Sequence, residues 1–143
     1  MFYINTSYDE IWESFLENCS YDSSEIPQTD ERRYSMIKNA IMHYNQKAKK
    51  YEGRIQGNVV CDDMIEEINV KLNSIELLIL ANILSYIFCK NKLVEFTSIY
   101  GTYAKEMGFK DYKAQVDGRQ AEVSRYEEEV SRLIQDEIDS FNL

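Results

Sequence analysis

Apolar residues recur every three or four positions in the first third of the chain, and this spacing predicts two amphipathic helices. The first begins at Ser7, which opens a capping-box pattern, and ends near Asn18. The second is capped by Thr29 and runs from 30 to about 50, with acidic residues in its first turn. Residues 20–28 between them are polar and contain the single proline, so we expect a connecting loop there.

The pattern changes at residues 75–89, where apolar side chains lie on every side of a third predicted helix, capped by Asn73 and Ser74. Such a helix must be buried on nearly all sides, either by its own domain or by neighbouring copies. We do not predict a membrane span, because this run has fifteen residues and includes Glu76 and Asn82. A spanning helix needs about 20 apolar residues.

Helical spacing continues in the second half of the chain. The third helix either continues through residues 90–92 or restarts there after a bend, and Gly101 and Gly108 are the candidate breaks. Residues 111–140 form a long final helix, in which apolar residues follow a seven-residue repeat from 116 to 133. The repeat is too short for an isolated coiled coil, so we expect this helix to pack on its own domain or on a neighbour.

The least regular part of the chain lies between the second and third helices. Residues 51–61 contain two glycines and are either an irregular loop or a small hairpin, of which we favour the loop. Asp62 and Asp63 are then expected to cap a short helical turn over residues 64–72.

The length of 143 residues fits a single domain, 1–143, and the low glycine and proline content favours long regular elements. The predicted fold class is therefore all-α, a small bundle of four to five helices with a long C-terminal helix. We expect an N-terminal arm over residues 1–6 and a C-terminal tail over residues 134–143.

The net charge of −9 is unevenly distributed. Residues 1–31 carry eight acids and no base, and residues 117–143 carry eight acids and three bases. The middle of the chain is basic, and it contains a small patch at the end of the second helix: Lys47, Lys49, Lys50 and Arg54. Both acidic ends should repel nucleic-acid phosphates, whereas this patch is either a partner surface or an ordinary basic helix end.

Few residues have the chemistry of a catalytic site. The three cysteines, Cys19, Cys61 and Cys89, are too far apart for a zinc motif and favour a reducing compartment over a disulfide framework. His43 is the single histidine, and we expect it to be structural. An enzyme would need a cysteine to approach it in space. We therefore predict no catalytic, cofactor-binding or metal-binding residues and no enzymatic activity.

Seven segments of the chain carry a resemblance to a known family, and none of them is a catalytic signature. They are Asp9 to Trp12, Ile26 to Asp30, Ile37 to Tyr44, Asp62 to Glu67, Glu76 to Ala81, Phe88 to Asn91, and Lys110 to Gln115. With these segments, the layout of residues 9–140 resembles the head-tail connector (adaptor, or head-completion) proteins of tailed bacteriophages, particularly those that infect low-GC Gram-positive bacteria.

The resemblance implies a homo-oligomeric ring, commonly of twelve copies, between the portal protein and the next neck or tail component. DNA would pass through the ring with only transient, non-specific contact. The protein would be assembled in the bacterial cytoplasm and reside in the virion neck. Because the C-terminal segment of such proteins often embraces the portal, Ile134, Ile138 and Phe141 become candidate portal contacts, with ordinary helix packing as the alternative.

A different class of function fits the same composition. An acidic monomeric or dimeric binding module, such as an inhibitor that mimics DNA or an immunity-type protein, would also be small, helical and negatively charged. The mass of the protein, alone and with portal, separates the two hypotheses.

Overall fold

The computed structural model describes residues 5–18, 25–52 and 54–141, and it describes their side chains except at 103, 104, 107 and 137–141. The elements in chain order are β1 (Thr6–Ser7), α1 (Tyr8–Asn18), α2 (Asp30–Lys50), β2 (Cys61–Asp62), β3 (Glu67–Ile68), α3 (Ser74–Tyr100), a 3₁₀ turn (Gly101–Tyr103), α4 (Ala104–Met107) and α5 (Phe109–Phe141). The prediction of an all-α fold with a long C-terminal helix is confirmed, with a small sheet added to it.

The first two helices begin at the predicted capping residues. The Glu10 backbone N–H donates to the Ser7 hydroxyl at 3.1 Å, and the Arg32 N–H donates to the Thr29 hydroxyl at 3.3 Å. These bonds satisfy backbone donors that have no partner within the helix. Since the caps are local in sequence, the starts of α1 and α2 follow from the residues alone.

Helix α3 is the centre of the fold. It begins with a full capping box, in which the Glu76 N–H donates to the Asn73 side chain at 2.8 Å and the Asn73 N–H donates to the Glu76 carboxylate at 3.0 Å. It then runs for 27 residues to Tyr100, so the helix continues through residues 90–92 rather than restarting there. Helices α1, α2 and α5 pack against it.

Those three neighbours bury the apolar block of α3 within a single copy of the chain. Ile79, Leu80 and Leu84 are fully buried in the core. Of the two explanations for the all-round apolar pattern, burial by the protein's own domain is therefore sufficient for the first half of α3. Among the described residues, α3 is also the one helix with the length and composition of a membrane span, and 56% of its most apolar window is buried inside the fold.

A three-stranded antiparallel sheet, in the order β1-β3-β2, replaces the helical turn predicted over residues 64–72. That prediction was wrong because Asp62 caps a chain reversal: its carboxylate accepts the Met64 N–H at 3.0 Å. The following Glu66 then adopts φ 55°, outside the range of a right-handed helix. The predicted N-terminal arm also needs correction, since Thr6 is fully buried and pairs with Ile68.

The described residues between α2 and β2 form an irregular loop, and two polar side chains attach this loop to the helices. The Asn45 amide exchanges two hydrogen bonds of 2.9 Å with the Val59 backbone. The buried Glu76 carboxylate accepts the Gln56 N–H at 2.9 Å. Both side chains therefore have hydrogen-bond partners, as is typical of polar groups removed from water.

Helix α5 starts after a sharp break at Gly108, whose φ of +96° favours glycine. Its predicted seven-residue repeat faces α3, with Val123, Tyr126 and Val130 buried. The final helix thus packs on its own domain, one of the two expected arrangements. It continues unbroken through Phe141, so residues 134–141 are not a separate tail.

Candidate functional site

The least covered part of the described structure is a helical hairpin formed by residues 90–119. This outer hairpin comprises the end of α3, the 3₁₀ turn, α4 and the start of α5, and Phe96 is the single buried side chain among those described in it. The Phe96 ring stacks on Tyr112, with ring centroids 5.8 Å apart, and lies 4.6 Å from the Arg119 guanidinium. A small aromatic contact therefore holds the two helices together.

Several large apolar side chains of the outer hairpin face solvent. Phe109, directly after the break at Gly108, is 72% exposed, and Val94 is 57% exposed. Ile99 and Tyr100 are also exposed. All four residues lie in one helical hairpin, and exposed large apolar residues concentrated in one region are more informative than the same residues scattered singly. The outer hairpin is consequently the strongest candidate for an interface.

A second surface lies at the opposite end of α3. Glu10, Glu13 and Glu17 of α1 border a cleft of about 420 Å³, together with the half-buried Leu77 and Leu78 of α3. The described residues that line this acidic cleft include no lysine or arginine. Lys71, which lies outside the lining, has its ammonium 3.1 Å from the Glu10 carboxylate. The cleft therefore combines a negative rim with an apolar floor.

The structure places the predicted basic patch at one end of α2 but on different sides of it. Lys47 lines a small pocket of about 160 Å³ beside Glu127, whereas Lys49 lines a wider cleft of about 860 Å³ with Ile55. Lys50 lies over the Tyr51 ring at 5.5 Å, and Arg54 is exposed. The four cations are close in sequence, but the structure gives them no single shared face.

The three candidate portal contacts do not form a described surface. Ile134 is fully buried in the core with Val130 and Leu133, so its side chain packs within the chain and is not available to a partner. The burial of Ile134 corresponds to the alternative of ordinary helix packing. The apolar spacing along α5 was the sequence signal for that burial. The side chains of Ile138 and Phe141 lie outside the described residues.

A polar network attaches the β2–β3 hairpin to the helices. The Asp63 carboxylate accepts from the buried Tyr8 hydroxyl at 2.7 Å and from the Lys38 ammonium at 2.8 Å. The hydrogen bond from Lys38, followed by that from Tyr8, lowers the pKa of Asp63, and the same Asp63 contact raises the pKa of Lys38. Between these strands, Met64 is 95% exposed at the turn. The network holds the β2–β3 hairpin against the helices, and the turn of this hairpin exposes the apolar Met64 side chain.

The groups considered for thiol chemistry occupy different environments. His43 packs edge-on against Tyr86, with ring centroids 6.1 Å apart, and burial followed by Lys90 and Lys47 lowers its pKa. Burial raises the pKa of the Cys61 thiol, which lies beside Tyr8. Cys89 is buried in the α3–α5 core, and Cys19 lies outside the described residues. A raised pKa opposes the thiolate that nucleophilic catalysis requires.

The described residues contain no group of three or more His, Cys, Asp and Glu side chains arranged to hold a metal ion. The sequence did not reveal the outer hairpin or the acidic cleft as surfaces. The signal for the hairpin was the large aromatic Phe109 placed directly after a helix-breaking glycine. The signal for the cleft was a first helix that bears acids without bases.

Comparisons with known proteins agree with a viral source. The chain matches the family described as the YomZ prophage protein over residues 3–139. It is 36% identical over 129 residues to the SPbeta prophage-derived uncharacterized protein YomZ of Bacillus subtilis (strain 168), with 90% of this chain and 93% of that protein covered. No solved structure matches it. The phage origin implied by the resemblance is confirmed, and the connector role stays a prediction. The chain belongs to the YomZ prophage protein family.

Proposed function

We propose that this protein is a non-enzymatic structural subunit of a phage neck, where it forms an oligomeric ring between the portal and the tail. The observation that carries the proposal is the exposure of large apolar side chains on the outer hairpin. Phe109 and Val94 face solvent there, although the rest of the chain has a well-packed core. A chain with its own complete core has no need of such a surface for folding. Its position on a protruding helical pair makes it accessible to other subunits.

The charge distribution supports a head-to-tail contact rather than a symmetric dimer. Residues 90–119 carry six bases and four acids, whereas residues 1–31 carry eight acids and no base. Two outer hairpins would repel each other weakly if placed face to face, because like charges would meet. A contact between unlike surfaces generates a closed ring when the rotation between subunits permits.

The acidic segments also fit a conduit for DNA. A ring that presents α1, or the acidic end of α5, to its lumen would repel phosphates and allow the duplex to slide with only transient contact. The basic residues at the end of α2, Lys47, Lys49, Lys50 and Arg54, remain candidates for docking on an acidic portal surface. The exposed positions of Lys49 and Arg54 agree with that role.

The proposal is tested by measuring the mass of the full-length protein, alone and mixed with the portal of the same phage, by analytical ultracentrifugation. We expect a ring-sized species in at least the mixture, and portal alone serves as the control. A protein that stays monomeric in both samples contradicts the proposal. Tight binding to a nuclease or polymerase by that monomer would favour the acidic binding module instead.

The absence of catalysis is part of the proposal and has its own test. Because the pKa of His43 is lowered by burial and neighbouring lysines, His43→Ala should remove only a packing contact with Tyr86. We expect phage particles that carry His43→Ala or Cys61→Ala to assemble and package DNA normally. Loss of infectivity from a variant that still folds, as judged by circular dichroism, would indicate a chemical role.

A further inference from the structure

We propose, resting on the ring function above, that the outer hairpin of one copy docks in the acidic cleft of a second copy. Phe109 enters the cleft, while Lys110 and Lys113 meet the glutamates of α1. The occupant of the cleft is thus another molecule of this chain.

The donor surface is one flank of the first two turns of α5. Phe109 and Lys113 are four residues apart, and Lys110 lies three residues before Lys113, so the three side chains share a flank at helical spacing. Tyr112, three residues after Phe109, adjoins this flank and stacks on Phe96 of the same molecule. All three flank residues are exposed, and Phe109 is 72% exposed. An exposed aromatic ring flanked by cations has the composition of an interface anchor.

The acceptor surface has the complementary chemistry. The floor of the cleft is formed by Leu77 and Leu78, which are half-buried, and Leu16 on the neighbouring α1 is 46% exposed. Its rim carries Glu13 and Glu17. An aromatic side chain on the leucines would remove apolar area from water, and the flanking lysines would meet carboxylates.

The geometry of α3 requires that the two surfaces come from different copies. Leu77 and Leu78 lie at the start of this 27-residue helix, whereas the outer hairpin lies at its end. At about 1.5 Å per residue, the helix separates the two surfaces by roughly 33 Å. One molecule therefore cannot place its own Phe109 in its own cleft. Because the outer hairpin of one copy contacts the acidic cleft of the next, a growing chain of copies always has one unoccupied hairpin and one unoccupied cleft. These two surfaces are filled when the ring closes.

Charge reversal on each side of the contact tests the pairing. One variant is Lys110→Glu with Lys113→Glu, a second is Glu13→Lys with Glu17→Lys, and a third combines all four changes. The matched control reverses two exposed arginines that lie outside every proposed contact surface, Arg32→Glu with Arg125→Glu. Mass photometry over a concentration series measures assembly, alone or on the portal, and circular dichroism confirms that each variant folds.

We expect each two-residue reversal to raise the dissociation constant between copies by at least about tenfold. The four-residue variant should recover most of that loss, because the reversed charges attract again, and the control should assemble in solution like the wild type. Phe109→Ser should weaken assembly by a similar factor without changing the melting temperature.

The possible failures are distinguishable. If the wild type forms a ring and neither reversal weakens it, or if the four-residue variant stays dissociated although it folds, the hairpin-to-cleft contact is wrong while the ring proposal stands. If the wild type forms no ring, alone or with portal, both proposals are wrong.

Discussion

Leu84→Ala tests whether α3 is buried by its own subunit. Leu84 is fully buried in the core that α1, α2 and α5 build around α3. Leucine-to-alanine changes at such sites cost about 2.7 to 5.0 kcal/mol, and the cost rises with the cavity that remains. Because helices pack on several sides of α3 and limit collapse, we expect a loss of about 3 to 4 kcal/mol. This corresponds to a melting temperature lower by roughly 10 °C in a domain of this size.

The assay is urea unfolding followed by circular dichroism at two widely different protein concentrations. Intramolecular burial predicts that the difference in unfolding free energy between Leu84→Ala and wild type is the same at both concentrations. Val94→Ala is the matched control, because Val94 lies in the same helix and is 57% exposed. Its effect should be within about 0.5 kcal/mol.

Two results would refute this reasoning. A cost below about 1 kcal/mol would mean that Leu84 is not closely packed. A cost that appears only at the higher concentration would mean that neighbouring copies bury α3, which the packing of α1, α2 and α5 contradicts.

Three further predictions concern local structure. Glu76→Ala should lower the unfolding free energy by about 2 to 3 kcal/mol, because the N–H groups of Gln56 and Asn73 lose their acceptor. Chemical denaturation measures this loss, and a loss below about 0.5 kcal/mol would contradict the prediction. Gly108→Ala should cost about 1 kcal/mol, because alanine is strained at a φ of +96°; an unchanged melting temperature would show that the helix break tolerates a side chain. The lowered pKa of Asp63 stabilises the fold at pH values above 3.8, the ordinary pKa of an aspartate, and this contribution is lost as the pH falls through the folded pKa. The difference in unfolding free energy between wild type and Lys38→Met should therefore shrink below that pH. A difference that stays constant with pH would contradict the ion pair.

The helix starts could be predicted from the sequence because their determinants are local. Thr29 and Asn73 each bond a backbone N–H three residues ahead, so the signal and the structure occupy the same few residues. The sheet could not be predicted in this way. Thr6 pairs with Ile68, sixty-two positions away, in strands of only two residues that show no alternating pattern.

The candidate interface depended on information that the apolar pattern does not contain. Phe96 and Tyr112 continue the helical spacing of the core. From the sequence alone, the outer hairpin therefore could not be distinguished from the buried part of the helices. Whether it is covered depends on how far the other helices reach, and α1 has only 11 residues, or about 16 Å. Ile134 shows the opposite case: the resemblance made it a candidate portal contact, and the structure buries it, which is the helix-packing alternative.

The most direct test of the central claim is cryo-electron microscopy of the full-length protein bound to the portal of its own phage. We predict a closed ring on the portal, in which the outer hairpin of each subunit lies against α1 and the start of α3 of the next, with Phe109 over Leu77 and Leu78. Portal particles that carry no ring would contradict the assignment of this protein to the phage neck.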